Sequence, residues 1–163
     1  MPNESTAPRC VFDCVILLQA AVSRGPAFAL LRLVETRRLC LLISEDVISE
    51  LRDVLLRPAV VKRFPILTSD FVEAFLLRLQ QISTAIEFVP RHFQFGRDPD
   101  DEPYLNLAIE GAANYLVTRD LDLLELAQQA SDEADQLRHI CPTLRILNPV
   151  ALLQHLIERS APP

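Results

Sequence analysis

Five short, mostly apolar runs, separated by stretches that carry helix signals, leave this chain few architectures. The runs are Cys10–Cys14, Leu39–Ile43, Ile86–Val89, Tyr115–Val117 and Leu144–Leu147. Each has the length of a strand. In Cys10–Phe12, Leu39–Ile43 and Tyr115–Val117 the apolar residues follow one another instead of alternating, which is the pattern of strands buried on both faces. Helix signals fill the intervals. Pro26 is a good first helical position for a helix over 27–38, and Ser44 caps one that runs to about Leu56. A short helix is expected over 60–64. Thr68 caps a longer one from Ser69 to about Ala85, Pro103 opens one closed by Gly111, and further helices are expected over 121–130 and 150–157. The charged stretch 131–142 reads as a loop, as does 90–101. Strands alternating with helices indicate an α/β fold whose parallel sheet is covered on both faces. Ligands of such sheets bind outside the carboxyl ends of the strands.

At 163 residues, half of them hydrophobic, the chain suits one domain with a sizeable core. Residues 1–8 read as a disordered leader and 9–158 as the domain. No apolar run approaches the roughly 20 residues that span a membrane. The opening Met1–Cys10 lacks the basic start and apolar stretch of a secretory signal. No membrane partner and a cytoplasmic location are therefore expected. Cys10, Cys14, Cys40 and Cys141 have no zinc-finger spacing and read as reduced thiols, three of them in apolar runs. The three glycines, Gly25, Gly96 and Gly111, make no phosphate-cradling loop, and there is no G-x-S-x-G elbow. His92, His139 and His155 are scattered.

Charge is unevenly spread. The net charge is −6, but residues 98–135 alone hold 11 acids against one arginine. Either this is a solvated acidic face, or several carboxylates converge on a cation that would invert the local potential. Position separates the acids. Asp13 ends the first strand among apolar residues, where a lone carboxylate is costly unless paired, protonated or bound to a metal. Asp120 follows the strand at Tyr115–Val117; it can cap the next helix as well as face a ligand. Asp122 falls in that helix's first turn, and Thr118 offers a hydroxyl nearby. On the helix after Ser44, Glu50 lies about 40° beyond Val54 at the margin of the apolar stripe. Asp101 and Glu102 precede Pro103, while Asp98 and Asp100 look like solvated loop residues. Carboxylates gathered at one sheet edge would make a hard, oxygen-rich site suited to Mg²⁺ or Mn²⁺, able to activate water for attack at phosphorus.

In this order and spacing, Val-Phe-Asp13-Cys, Leu-Ile-Ser-Glu-Asp-Val-Ile-Ser-Glu50-Leu, Arg97-Asp-Pro-Asp-Asp-Glu-Pro-Tyr-Leu-Asn-Leu-Ala108 and Gly111-Ala-Ala-Asn-Tyr-Leu-Val-Thr-Arg-Asp120 resemble PIN-domain ribonucleases. The closest likeness is to the toxin (VapC-like) branch of bacterial toxin–antitoxin pairs. The resemblance runs from Val11 to about His155. It implies a three-layer α/β/α sandwich with a five-stranded parallel sheet, and Mg²⁺- or Mn²⁺-dependent endonucleolytic cleavage of RNA by water. It also implies a cognate antitoxin, docked on an apolar groove of the helices after strands one and two, and a homodimer. It carries the family's catalytic acids onto Asp13, Glu50, Glu102 and Asp120, with Asp101 a rival for the place of Glu102 and Asp122 an additional metal ligand.

One departure stands out. The family commonly has Asn two residues after the first acid, where this chain has Val15. Valine offers no amide to the site, and groups that orient ligands tune a metal centre. A PIN-like binding module with impaired catalysis is therefore the second reading. A receiver-like phospho-acceptor domain is the third, disfavoured because that chemistry wants a lysine at a strand end and the only lysine, Lys62, sits among helices.

Overall fold

A computed structural model describes residues 7–161. Five strands, β1 (Arg9–Phe12), β2 (Cys40–Ile43), β3 (Thr84–Ala85), β4 (Tyr115–Val117) and β5 (Arg145–Leu147), form one sheet in the order β3-β2-β1-β4-β5. All four pairings are parallel. The helices are α1 (Cys14–Val22), α2 (Pro26–Glu35), α3 (Glu45–Leu55), α4 (Pro58–Arg63), α5 (Ser69–Ile82), α6 (Glu102–Glu110), α7 (Leu121–Gln128), α8 (Asp132–Ile140) and α9 (Pro149–Ser160). The α/β sandwich is thus the expected one. β1 and β4 are central and buried, apart from the half-buried Arg9 at the start of β1. Both end at the same edge, with Phe12 in register with Val117. That register brings the residues following β1 and β4 together.

The expected leader lies, for residues 1–6, outside the described residues. Pro8, just before the middle strand β1, is already tied to β2, its carbonyl accepting from Cys40 N at 2.9 Å. No single helix among the described residues is long and apolar enough to cross a membrane. The described cysteines are all free.

Three elements differ from expectation. The third strand is Thr84–Ala85 rather than Ile86–Val89, because α5 ends early at Ser83, whose hydroxyl turns back to Leu79 O. The charged stretch after Ala130 contains α8. Ser131 Oγ accepts from Ala134 N at 3.1 Å, acids occupy the first turn and Arg138 and His139 the last. These charges complement the helix dipole, and Ala134 and Leu137 supply the buried side. Helix α2 stops at Glu35, short of Arg38, because Arg37 adopts a left-handed backbone (φ 59°).

Gly111 does close α6, but its φ is −80°; Ala112 is the left-handed residue. What requires glycine here is space. A Cβ would overlap Leu42 Cδ1 and stand 3.1 Å from Leu107 O.

Candidate active site

Where β1 and β4 end, two aspartates begin helices. Asp13 caps α1, its Oδ1 accepting from Ile16 N at 2.9 Å. Asp120 caps α7, its Oδ1 accepting from Asp122 N at 2.8 Å and Leu123 N at 3.3 Å. Thr118, fully buried, joins them: its hydroxyl donates to Asp13 Oδ2 and accepts from Asp120 N at 2.9 Å. Capping thus consumes one oxygen of Asp120 and leaves Oδ2 without a hydrogen bond among the described residues. Burial pushes the Asp13 carboxyl above the ordinary carboxylate range, and the Asp120 charge adds to this. The bonds from Thr118 and Ile16 oppose the rise.

A third arm comes from the loop before α6. Asp98 Oδ1 accepts from Asp100 N at 3.0 Å, which folds Pro99–Asp101 into a single 3-10 turn and returns Asp98 towards Asp101. One carboxylate oxygen from each of Asp98, Asp101 and Asp120 lies within 4.8 Å of the others. Asp101 Oδ2 is buried and has no hydrogen-bond partner. Burial first, then the charges of Asp120, Asp98, Asp13 and Asp122, push the Asp101 carboxyl up to about 7. An orphaned buried acceptor among like charges is what a cation would relieve. These donors therefore fit a hard divalent metal.

Asp13, Glu50, Asp101 and Asp120 line one cleft of about 330 Å³, together with Cys14, Val15, Asp100, Tyr104 and Arg119. Glu50 reaches it from α3, and the buried Tyr104 hydroxyl donates to Glu50 Oε2. The Cys14 thiol is pushed up to about 12, chiefly by burial and then by Glu50 and Asp13, so it stays protonated. Arg119 is the one basic residue lining the cleft among the described residues, and its Nε donates to Gln19 Oε1 at 2.8 Å.

The structure separates Glu102 from this group. Arg91 grips it with two bonds, of 3.0 and 3.2 Å, and Phe95 N donates to its Oε1 at 2.9 Å. It lines a different cavity with Ser44, Asp46 and Asn106, and Arg91 holds its carboxyl below the usual range. Of the two rivals before Pro103, Asp101 is the one that faces the cleft. The reason is the 3-10 turn over Pro99–Asp101, after which Glu102 is already the first residue of α6. Asp122 stands beside the cluster, half exposed, with Arg97 Nη1 3.9 Å away.

Sequence alone did not pick out Asp98, Asp100 or Tyr104 as parts of the site. Asp98 was read as solvated, although Asp-Pro-Asp is a good turn signal that would have folded it back. Tyr104, three residues after Asp101 and so on the same helix face, could have been found from that spacing.

Fold and site define an α/β protein with a carboxylate-lined cleft at the carboxyl edge of its sheet. The family model of the PIN domain matches residues 9–122, and the chain belongs to that family. Its members are generally nucleases. The match spans β1 to the start of α7 and so includes every acid of the cleft. No curated protein and no solved structure matches the chain.

Proposed function

We propose that this protein is a metal-dependent endoribonuclease acting as the cytoplasmic toxin of a toxin–antitoxin pair. The observation that carries the nuclease reading is the orphaned, buried Asp101 Oδ2 beside Asp98 and Asp120. Asp98, Asp101 and Asp120, with Asp13 and Glu50 on the cleft wall and Asp122 behind, would hold Mg²⁺ or Mn²⁺. Bound there, the metal would supply a water of lowered pKa and Lewis-acid stabilisation at phosphorus. Thr118 fixes the rotamer of Asp13. Tyr104 occupies Glu50 Oε2, leaving Oε1 without a bond among the described residues to orient water. Arg119, tethered by Gln19, keeps its terminal nitrogens for a phosphate of the RNA.

The toxin role, a cognate antitoxin on the helices after β1 and β2, and a homodimer rest on the resemblance of the motifs. They are tested by growth arrest on expression and its rescue by the product of the neighbouring gene. The nuclease reading is tested with a panel of RNAs and Mn²⁺. Internal cleavage by the wild type that is abolished by EDTA and by Asp120→Asn supports it; equal cleavage by both proteins overturns it.

A specific observation favours the second reading, a binding module of impaired catalysis. Val15 is half exposed on the cleft wall, placing an apolar surface where an amide would serve. It expects intact RNA with Mn²⁺ while metal still raises the melting temperature.

A further inference from the structure

The acids gather at the carboxyl edge of the sheet, and an opposite arrangement occupies the amino edge. Pro8 precedes β1, Arg37 and Arg38 precede β2, and Tyr115 opens β4. There, Arg37, Arg38 and Arg159 line a pocket of about 310 Å³ with no carboxylate among its described lining residues. None of the three forms an ion pair among the described residues, in a chain with six more acids than arginines and lysines.

Two details set this apart from a solvated basic surface. Arg159, on the exposed last turn of α9, is tethered to the core: its Nη1 donates to the hydroxyl of Tyr115, a residue only 1 % exposed. Arg37 follows a helix end in the left-handed region at φ 59°, a place that glycine or asparagine fills at lower cost. Arg38 N donates to Leu33 O at 2.8 Å, which locks that helix end and carries both arginines to the pocket mouth. Leu33 and Leu156 form an apolar flank.

We propose that this pocket binds a phosphate group, with its attached nucleoside lying on the apolar flank. Guanidinium forks match phosphate oxygens two at a time. Three converging cations suit a group that carries more than one negative charge in a small volume. The phosphate belongs either to a strand of RNA or to a free nucleotide. The site is independent of the acidic cleft and of the metal reading of it, since the two occupy opposite ends of the strands.

The test measures binding in EDTA, where metal-dependent cleavage is silent. The full chain is titrated with a single-stranded RNA of twelve nucleotides and, separately, with adenosine diphosphate. The variants are Arg37→Gly, Arg38→Gln and the exposed control Lys62→Gln. Arg37→Gly relieves the left-handed strain, so it should fold at least as stably as the wild type while binding about tenfold more weakly. With RNA, each arginine lost should lower the slope of log affinity against log salt by about 0.7. Lys62→Gln should leave both readouts unchanged. Loss of RNA binding alone assigns the site to the RNA strand; loss of nucleotide binding alone assigns it to free nucleotide. If neither probe binds, or if Arg37→Gly and Arg38→Gln bind as the wild type does, the proposal is overturned.

Discussion

Replacing Asp101 with asparagine should stabilise the metal-free protein, although it alters a residue at the heart of the cleft. Asp101 rises from 3.8 to about 7 on folding, through burial and then its acidic neighbours. Between those values the folded chain holds a proton that the unfolded chain has lost. Stability therefore falls as pH rises from about 4 to 7 and is level above. The full gap corresponds to about 4 kcal/mol as a ceiling. Asp101 is only half-buried, so solvent screening reduces this to about 1–2 kcal/mol. Asparagine removes the penalty at every pH. In EDTA at pH 8, Asp101→Asn should melt about 3–6 °C above the wild type. At pH 5 the gain should be about a third of that. Calorimetric melting at both pH values, with and without Mn²⁺, reads the effect. Mn²⁺ should raise the wild type by about 2.7 kcal/mol at a hundred times its dissociation constant and the variant much less. A variant less stable than wild type in EDTA, or a gain that is larger at pH 5, would refute the electrostatic reasoning.

Three other outcomes are expected. Thr118→Val removes the donor to Asp13 Oδ2 in a fully buried position, and should cost about 1–3 kcal/mol in urea unfolding; an unchanged midpoint would contradict the joint between β1 and β4. Gly111→Ala should cost about 1–3 kcal/mol, since the new methyl overlaps Leu42; a neutral melting temperature would show that α6 shifts freely. Mn²⁺ affinity by titration calorimetry should weaken as pH falls below about 7, because Asp101 must give up its proton to bind; flat affinity between pH 8 and 6 would exclude Asp101 as a ligand.

What was legible in sequence follows from what determines each feature. Strands β1, β2 and β4 were readable because burial on both faces demands continuous apolar residues, and β5 from the shorter apolar pair Ile146–Leu147. Asp13 was readable because a carboxylate that interrupts such a run is costly there, and Asp120 because it follows the carboxyl end of a buried strand. β3 is two exposed residues on the sheet's edge, held by backbone pairing to β2, and carries no apolar signal. α8 hides its two buried residues among charges and is identified mainly by its caps. The choice between Asp101 and Glu102 depends on one turn of backbone. Arg91, which claims Glu102, lies eleven residues away in a loop, and no spacing rule connects them.

On the proposed function, the cleft of Asp13, Glu50, Asp101 and Asp120 cuts RNA with a bound metal, and Glu102 stands outside it. The most direct test compares Mn²⁺-dependent cleavage of one RNA by the wild type, Asp101→Asn and Glu102→Gln under single-turnover conditions. Asp101→Asn should slow the rate by about 100-fold or more, while Glu102→Gln stays within a few-fold of wild type. The reverse order, or full activity of Asp101→Asn, would contradict the account.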